Sequence, residues 1–488
     1  MQKDINEKNV VFAIVLIFLV LTVAPAVNAQ IAGNDFNGIK SMVQKFSNTT
    51  VNFEDNSIYD LLILTPQEFF RKLKPLVNHK NSFDVSTICV TLDEVYDQMY
   101  WQGRDHAEKI KYFIKNAFDK WGIKYALLVG DFRHMPVRYV FNGDVNGGFY
   151  EPCFISELYY ADIYDENGDF SSWDSDGDGI YGEWIDDGIS NVAEDKDINL
   201  RPDVYVGRLA CRNIQEVKIM VSKIITYEAT TYNQNWFKRL VVVAGDTYPE
   251  GQYPFDTSGY EGEENTMNAI ENMSGFEVEK LWISLGTFKR PKDVIDAINK
   301  GCGFMFFDGH ASPIAWGTHP HNSEKFIYGL RLKDMWRMRN LNKMPIVIAG
   351  ACHNSEFDVT PLNLLHNFTE SLNHGTYPLE CWAWKLTSKP FGGSIATIAN
   401  TGLGMSKEDK DSMEGAGDYM DLQFFCEYGT NGSEILGEVW GKAINRYLNR
   451  YPIDWDTPAA WDYAYDAKTV QQWVLLGDPS LKIGGYSK

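Results

Sequence analysis

Two stretches decide the fold of this chain: Gly303-Phe304-Met305-Phe306-Phe307-Asp308-Gly309-His310 and Met344-Pro345-Ile346-Val347-Ile348-Ala349-Gly350-Ala351-Cys352. Each is a run of apolar residues that ends in one reactive side chain. An apolar run of this length, bounded by Gly or Pro, is typical of a strand buried in a parallel sheet. Because open α/β folds bind ligands at the carboxyl ends of such strands, we expect His310 and Cys352 to lie at one edge of the sheet.

A thiol and an imidazole at corresponding strand ends are what a cysteine hydrolase requires. The imidazole of His310 would favour the thiolate of Cys352 and later protonate the leaving amine. Backbone N–H groups at Ala311 and Cys352 are the expected donors to the oxyanion. Taken singly, each residue has a structural alternative, because a buried cysteine and a histidine satisfied in a turn are both common. The pair together predicts a catalytic dyad.

Composition limits the remaining possibilities. The chain has 488 residues and is 44% hydrophobic, which is typical of a folded protein with two or three domains. Its net charge of −21 argues against nucleic acid as a partner, since phosphate binding requires clustered Lys and Arg. An excess of carboxylates also suits calcium binding or an exterior environment.

The pattern along the chain predicts two α/β halves. Residues 58–232 form the first half, with a polar, Asp- and Gly-rich insert at about 142–202, and residues 233–488 form the catalytic half. Repeated β-α-β units imply mainly parallel sheets with right-handed crossovers. Predicted strands are 59–64, 85–90, 125–130, 204–207, 240–245 and 393–399, and predicted helices are 66–76, 105–120, 214–231, 264–273, 291–299 and 435–448.

The first 29 residues are typical of an export signal. Lys3 and Lys8 precede an apolar stretch, and Val27-Asn28-Ala29 offers small residues for cleavage. The alternative is an uncleaved amino-terminal anchor, which would be the only membrane attachment. A polar lead-in covers residues 30–57. The seven cysteines show no CxxC spacing, and an odd number leaves at least one thiol unpaired in an exported protein.

Further blocks of sequence carry a family pattern. They are Gly309-His310-Ala311-Ser312 with Ala315-Trp316-Gly317-Thr318, Ala351-Cys352 with Phe357, Leu127-Leu128-Val129-Gly130-Asp131, Val206-Gly207-Arg208-Leu209 and Leu476-Gly477-Asp478-Pro479-Ser480-Leu481. In their order and spacing the chain resembles the gingipain-like cysteine endopeptidases, from Tyr59 to Ile483. The resemblance implies two caspase-like or Rossmann-like α-β-α halves. It also implies hydrolysis of peptide bonds through a thioester acyl-enzyme, after a basic residue.

The resemblance implies further site residues. The family orients its histidine with an acidic residue after the first strand of the second half, and the matching residue is Asp246. It pairs Arg or Lys with an acid in the specificity pocket, which implies Glu261, with Glu263 and Trp316 as further substrate-binding candidates. The structural alternatives are a turn aspartate at Asp246 and a solvated charge run at 260–264.

This sequence departs from the family pattern at two places. Ala311 replaces the Gly that follows the histidine, which affects how closely a substrate backbone can approach. Residues 353–356, His-Asn-Ser-Glu, also differ from those that follow the nucleophile in the family. We therefore expect an unusual surface on the leaving-group side of the cleft.

Alternating carboxylates followed by Gly, in Asp174-Ser175-Asp176-Gly177-Asp178-Gly179, predict a calcium site. This pattern matches the first half of an EF-hand loop, but Ile185 stands where the loop would end in a bidentate Glu. The flanking Glu183 and Asp186 are the candidates to replace it. The predicted ligands are Asp174, Asp176, Asp178, Glu183 and Asp186, and the structural alternative is an acidic surface turn.

Two rival functions remain at this point. Histidines are concentrated between His310 and His374, which raises a zinc hydrolase, but the chain has no HExxH motif. The rival of another class is a non-catalytic cell-surface protein that kept the fold for binding. The sequence favours an exported endopeptidase acting on protein or peptide substrates.

Overall fold

The computed structural model describes residues 53, 57–143, 150–184, 192–249, 259–406, 414–459 and 462–487. The predicted signal segment, most of the lead-in and Asp186 lie outside these residues. Within the described ranges, no helix has both the length and the apolar character needed to span a bilayer.

Fifteen strands are found in the described ranges. They are β1 (Leu61–Thr65), β2 (Thr87–Thr91), β3 (Tyr125–Val129), β4 (Tyr139–Val140), β5 (Phe154–Ile155), β6 (Tyr205–Leu209), β7 (Arg239–Ala244), β8 (Glu277–Trp282), β9 (Phe304–Asp308), β10 (His310–Ser312), β11 (Ala315–Thr318), β12 (Ile327–Arg331), β13 (Ile346–Gly350), β14 (Ala396–Asn400) and β15 (Trp473–Leu476).

The same ranges contain twelve α-helices. They are α1 (Gln67–Asn81), α2 (Leu92–Gln98), α3 (His106–Trp121), α4 (Ile214–Thr230), α5 (Glu261–Asn272), α6 (Pro291–Lys300), α7 (Asn363–His366), α8 (Phe368–His374), α9 (Trp382–Thr387), α10 (Ala416–Phe425), α11 (Leu436–Arg450) and α12 (Asp462–Gln472).

Ten strands form one sheet in the order β2-β1-β3-β6-β15-β14-β13-β9-β7-β8. Strands β2, β1, β3, β6 and β15 are parallel to one another. Strands β14, β13, β9, β7 and β8 form a second parallel block. The two blocks meet at the antiparallel pair β14–β15. The predicted α/β fold with mainly parallel strands is confirmed.

The buried strands explain why the sheet forms where the sequence predicts it. Every residue of β1, β3 and β9 is buried, as a parallel sheet covered on both faces requires. Helices α5 and α10 pack against each other and against β9 and β13, while α6 packs against β7 and β8. A small antiparallel sheet, β10-β11-β12, follows directly from β9.

Chain order places a topological switch point in the second block. From β7 the chain passes through α5 to β8 on one side, and then through α6 to β9 on the other side of β7. Crevices at such points, outside the carboxyl ends of the strands, are where α/β sheets bind ligands. The residues that follow β7, β9 and β13 therefore meet at one edge.

Candidate active site

His310 and Cys352 follow neighbouring strands at the same level. Asp308, the last residue of β9, is the register partner of Gly350, the last residue of β13. The Gly309 amide also donates to the Gly350 carbonyl at 3.1 Å. His310 and Cys352 each lie two residues beyond this pair, and adjacent strands are about 4.8 Å apart. The structure thus brings the two predicted residues to one edge of the sheet.

The loop that carries Cys352 is held by backbone and amide contacts. Asn400 Nδ2 donates to the Ala351 carbonyl at 3.0 Å, and Cys352 Sγ lies 3.9 Å from the Gly404 carbonyl oxygen. Within the described part of the chain, the Cys352 amide makes no hydrogen bond to another backbone group. An oxyanion donor must be available in this way. Ala311, the other predicted donor, lies in β10 opposite Trp316.

The contact of His310 with a backbone carbonyl defines its tautomer. His310 Nε2 is 2.6 Å from the carbonyl oxygen of Thr247. A carbonyl can only accept, so Nε2 carries the proton and Nδ1 of the neutral ring carries the lone pair. Burial lowers the pKa of His310, which keeps the ring neutral and able to accept a proton.

Burial also acts on the thiol. Its main effect is to raise the pKa of Cys352, while the nearby His353 lowers it. The resting pair is therefore a neutral thiol and a neutral imidazole. Transfer of the thiol proton to a base is then required before attack, because the thiolate is the nucleophile.

Asp246 is the second residue after β7 and is buried. Its backbone pairs with His319 through hydrogen bonds of 2.9 Å and 3.1 Å, and its Oδ2 accepts from the Asn322 amide at 2.7 Å. These contacts fix the segment whose next residue, Thr247, binds His310. The role of Asp246 as the orienting residue stays a prediction.

Four carboxylates gather beside the two strand ends. Glu261 opens α5, Asp308 ends β9, and Asp418 and Asp421 lie on α10. Asn265 of α5 donates from its Nδ2 to Asp308 Oδ2 at 2.6 Å, which connects the end of β9 to this helix. Glu261 raises the pKa of both Asp308 and Asp418, so it belongs to the same electrostatic cluster.

Asp421 is the most deeply buried of the four. It is 0% exposed, and neither carboxylate oxygen has a hydrogen-bond partner among the described residues. Oδ2 would lie 1.9 Å from a Cβ built on Gly350, so only glycine fits at the end of β13. Burial, followed by the nearby Asp308 and Asp418, raises the pKa of Asp421 well above its usual range.

Asp308 and Asp418 share this environment. Burial and then the Asp418 carboxylate raise the pKa of Asp308 well above its usual range. Burial is also the main cause that raises the pKa of Asp418 to about 7. In the described residues, no lysine or arginine lies within ion-pair distance of Asp308, Asp418 or Asp421. Among the described residues, the cluster therefore has no cation paired with it.

Two of the substrate-binding predictions need correction. Trp316 is fully buried against Phe307, with ring centroids 5.1 Å apart, and is part of the core beneath β11. Glu263 is also buried, and its Oε1 accepts from the Ser284 amide at 2.9 Å. These two side chains stabilise the fold and present no surface to a substrate. Glu261 is also buried, but it lies in the acidic cluster.

The acidic insert forms a separate cluster of oxygen ligands. Carboxylate oxygens of Asp174, Asp176 and Asp195 lie within 4.8 Å of one another. Burial, followed by the charge of the surrounding carboxylates, raises the pKa of Glu183 to about 7. Asp178 Oδ1 accepts from the Ile180 amide at 2.7 Å. Asp195 was not predicted, because it lies far along the chain from the Asp-Gly motif.

Among the residues described, this acidic group is also the one set of three or more His, Cys, Asp or Glu side chains with metal-ligand spacing. The histidines at the catalytic edge do not form such a set. The geometry therefore does not favour the zinc hydrolase. All seven cysteines are free thiols.

Sequence reasoning missed the Thr247 carbonyl, Asp418 and Asp421. A backbone carbonyl has no sequence signature, and α10 is distant in sequence from both reactive residues. One usable signal for α10 was the pair of acids in an apolar stretch, Asp418-Tyr419-Met420-Asp421.

Comparison with known proteins agrees with this geometry. Residues 54–484 match the profile of a family described as Peptidase family C25. Gingipain R2 of Porphyromonas gingivalis is 21% identical over 433 residues, which cover 87% of this chain and 46% of that protein. Gingipain R1 of the same organism is 22% identical over 428 residues, or 34% of that protein. The chain thus spans less than half the length of these curated relatives.

Two solved structures share the fold. The crystal structure of the Arg-specific cysteine proteinase gingipain R has a TM-score of 0.57 and 19% identity, covering 88% of this chain and 79% of that one. The complex of the Porphyromonas gingivalis RgpB pro- and mature domains has the same TM-score at 17% identity, covering 87% and 79%. The predicted gingipain-like resemblance is confirmed, and the chain belongs to Peptidase family C25.

Proposed function

We propose that the chain is a cysteine endopeptidase that cleaves peptide bonds after basic residues. Cys352 is the nucleophile and His310 the base. The observation that supports the proposal is that these two residues follow the register pair Asp308 and Gly350, beside an acidic cluster that has no paired cation among the described residues.

The reaction follows from the tautomer of His310. With its Nε2–H donated to Thr247, the ring accepts the Cys352 thiol proton at Nδ1. The thiolate attacks the peptide carbonyl, and the Cys352 amide donates to the oxyanion. Collapse forms a thioester and releases the amine, which takes the proton from His310. Water, deprotonated by the same imidazole, then hydrolyses the thioester.

The preference for a basic residue rests on electrostatics. A buried carboxylate is costly unless a cation pairs with it. Asp308 and Asp421 are buried with no paired cation among the described residues, next to the end of the strand that leads to Cys352. Asp418 lies half-buried beside them, and its Oδ2 accepts from Ser406 Oγ at 2.8 Å. A guanidinium or ammonium group of the substrate would supply the missing charge. Glu261 contributes to the same negative field.

The test uses fluorogenic peptides that differ only at the residue before the cleaved bond. Wild type should hydrolyse Arg and Lys peptides and leave the matched Ala peptide nearly uncleaved. Cys352→Ala should abolish the activity, whereas Cys426→Ala, a control thiol outside the site, should not. If wild type cleaves none of the peptides with reductant and calcium present, the alternative of a non-catalytic surface protein is favoured.

We also propose a structural calcium ion in the insert, held by Asp174, Asp176 and Asp195. The donors are all carboxylate oxygens, which suit a hard cation, and Glu183 and Asp178 supply further negative charge. Asp186, predicted as a ligand, lies outside the described residues. Arg104 would compete with the calcium ion for Asp174, because its guanidinium pairs with that carboxylate at 2.7 Å.

Calcium should raise the melting temperature of the wild type. Asp176→Asn should abolish the rise, whereas Asp169→Asn, a matched change in a neighbouring acidic turn, should retain it. A melting curve that calcium leaves unchanged in the wild type would contradict this proposal without affecting the peptidase.

An exported location is part of the same proposal. It rests on the signal-like residues 1–29 and on the excess of carboxylates. Amino-terminal sequencing of the mature protein would test it, and an intact Met1 on cell-associated protein would favour the anchor instead.

A further inference from the structure

His353 immediately follows Cys352 and is held on both ring nitrogens. Nδ1 lies 3.0 Å from Glu356 Oε2, and Nε2 lies 3.1 Å from Glu151 Oε2. The His353 amide donates to the Gly402 carbonyl at 2.9 Å. A carboxylate oxygen thus lies close to each ring nitrogen, and two acidic neighbours on opposite sides favour the protonated, cationic imidazole.

The backbone confirms that this position is unusual. His353 has a φ of 56°, in the left-handed region that favours glycine. Such a conformation persists where the surrounding contacts over-determine it, and it is often associated with functional sites. Here the contacts come from three separate parts of the chain, since Glu151 precedes β5, Gly402 follows β14 and Glu356 lies in the nucleophile loop.

Several charged groups surround His353. On one side, Lys468 of α12 pairs with Glu151 at 2.8 Å, and Glu151 also accepts from the Leu403 amide. On the other side, Asp358 lies near both His353 and Glu356. His374 of α8 is close enough to interact electrostatically with His353. Lys468 and His374 disfavour a positive charge on the His353 ring. Glu151, Glu356 and Asp358 favour it.

The balance favours the charged ring. Burial opposes the charge, but the hydrogen bonds and charges of Glu151 and Glu356 outweigh it and raise the pKa of His353 to about 10. The same charge lowers the pKa of the Cys352 thiol, against the effect of burial. An imidazolium beside a cysteine favours the thiolate.

We propose that His353 is a positioning residue that keeps a fixed positive charge beside Cys352 and so offsets the cost of forming the buried thiolate. It rests on Cys352 being the nucleophile of the proposed peptidase. In this arrangement His310 moves the proton, and His353, clamped by Glu151 and Glu356, stabilises the negative sulfur without touching the substrate.

The test measures the thiol directly. Iodoacetamide alkylation of Cys352 is followed by peptide mass spectrometry across pH 5 to 11 in the full chain, with Cys426 as the internal reference thiol. The variants are His353→Gln and His353→Lys. Both are unbranched non-glycine residues and share the same backbone cost at positive φ, so they differ mainly in charge.

Loss of the charge should slow alkylation of Cys352 at pH 7 by about threefold to tenfold, since one pKa unit is a tenfold change in thiolate below the pKa. His353→Gln should show this loss, and His353→Lys should restore most of the wild-type rate. Equal profiles for the two variants, or a wild-type profile in His353→Gln, would overturn the proposal. If the variants change Cys352 alkylation as expected but the wild type hydrolyses no peptide, only the proposed peptidase activity is contradicted.

A second measurement follows the wild-type protein and uses a variant only to assign the signals. The imidazole signals of His353, assigned by their absence in His353→Gln, should keep their protonated shifts up to pH 8. A histidine that titrates near its usual value of about 6.5 would overturn the proposal.

Discussion

Two buried charged clusters in this molecule are built in opposite ways. In the first, Lys80 Nζ lies 2.7 Å from Glu228 and 2.8 Å from Asp478, with all three side chains fully buried. In the second, Asp308, Asp418 and Asp421 have no cation within ion-pair distance among the described residues. The first cluster contains its own cation, whereas the second has none in the part of the chain that the structure describes.

The two clusters show how a buried charge that stabilises the fold differs from one that has no partner within it. Lys80 also donates to the Ser480 carbonyl, so it ties α1 to the carboxyl-terminal Asp478–Ser480 turn. Although burial alone lowers it, Asp478 and Glu228 hold the pKa of Lys80 above its usual value. A buried charge that is paired within the fold stabilises that fold. One that is not paired costs stability, and we propose that Asp308, Asp418 and Asp421 are kept to bind the basic side chain of a substrate.

Removing the cation from the complete cluster should have the largest effect. Lys80→Met leaves Glu228 and Asp478 buried without a cation, which costs about 3–5 kcal/mol. Urea unfolding followed by tryptophan fluorescence would measure it. Lys115→Met, which breaks a part-exposed pair with Asp119, is the control and should cost much less. An equal effect for both variants would break the distinction between the clusters.

Neutralising the incomplete cluster should change selectivity and spare stability. Asp418→Asn should lower kcat/KM for Arg peptides by about 30-fold, or ~2 kcal/mol, the lower range for one partner of a buried charge pair. Hydrolysis of the matched Ala peptide should stay constant. Lys80→Met, assayed under conditions where it is folded, should keep the Arg-to-Ala ratio of the wild type. If Asp418→Asn lowers the rates for both peptides equally, its role in selectivity is wrong.

The charge on Asp418 should also appear in the pH dependence of binding. Its pKa is raised to about 7, so the carboxyl is neutral below that pH and anionic above it. Cys352→Ala removes ionisation of the nucleophile from the measurement. In this variant, an Arg peptide should bind several-fold more tightly at pH 8 than at pH 6. Calorimetry with the Ala peptide, expected to show no such rise, is the control.

The smallest expected effect concerns stability at high pH. The pKa of Asp421 is raised in the folded protein, so its contribution to stability is present at low pH and is lost as pH rises through the folded pKa. Asp421→Asn should therefore gain at least about 1 kcal/mol over the wild type at pH 9, and little at pH 4, close to the unfolded pKa of about 3.9. Melting curves at the two pH values would show it, and a variant destabilised more at pH 9 would contradict it.

Local pattern predicted eight of the ten strands in the large sheet and six of the twelve helices in the described ranges. Residues 125–129 and 346–350 are uninterrupted apolar runs, as expected for strands that are covered on both faces of a parallel sheet. Strand β8 was missed because it lies at the edge of the sheet, where Glu277 is exposed and the apolar pattern is weaker. Strand β15 was missed because its place between β6 and β14 depends on partners far away in sequence.

The amino-acid sequence alone predicts that His310 and Cys352 closely follow buried strands, because hydrophobic periodicity and the Gly and Pro residues that bound the strands are local properties. Only the tertiary structure decided what surrounds them. The carbonyl of Thr247 that orients His310, the α10 carboxylates and the Glu151–His353 contact all join segments that are distant along the chain. Such contacts depend on how strands are ordered and helices packed, which one sequence does not reveal. The reactive pair was thus a local prediction, and its electrostatic environment was a property of the fold.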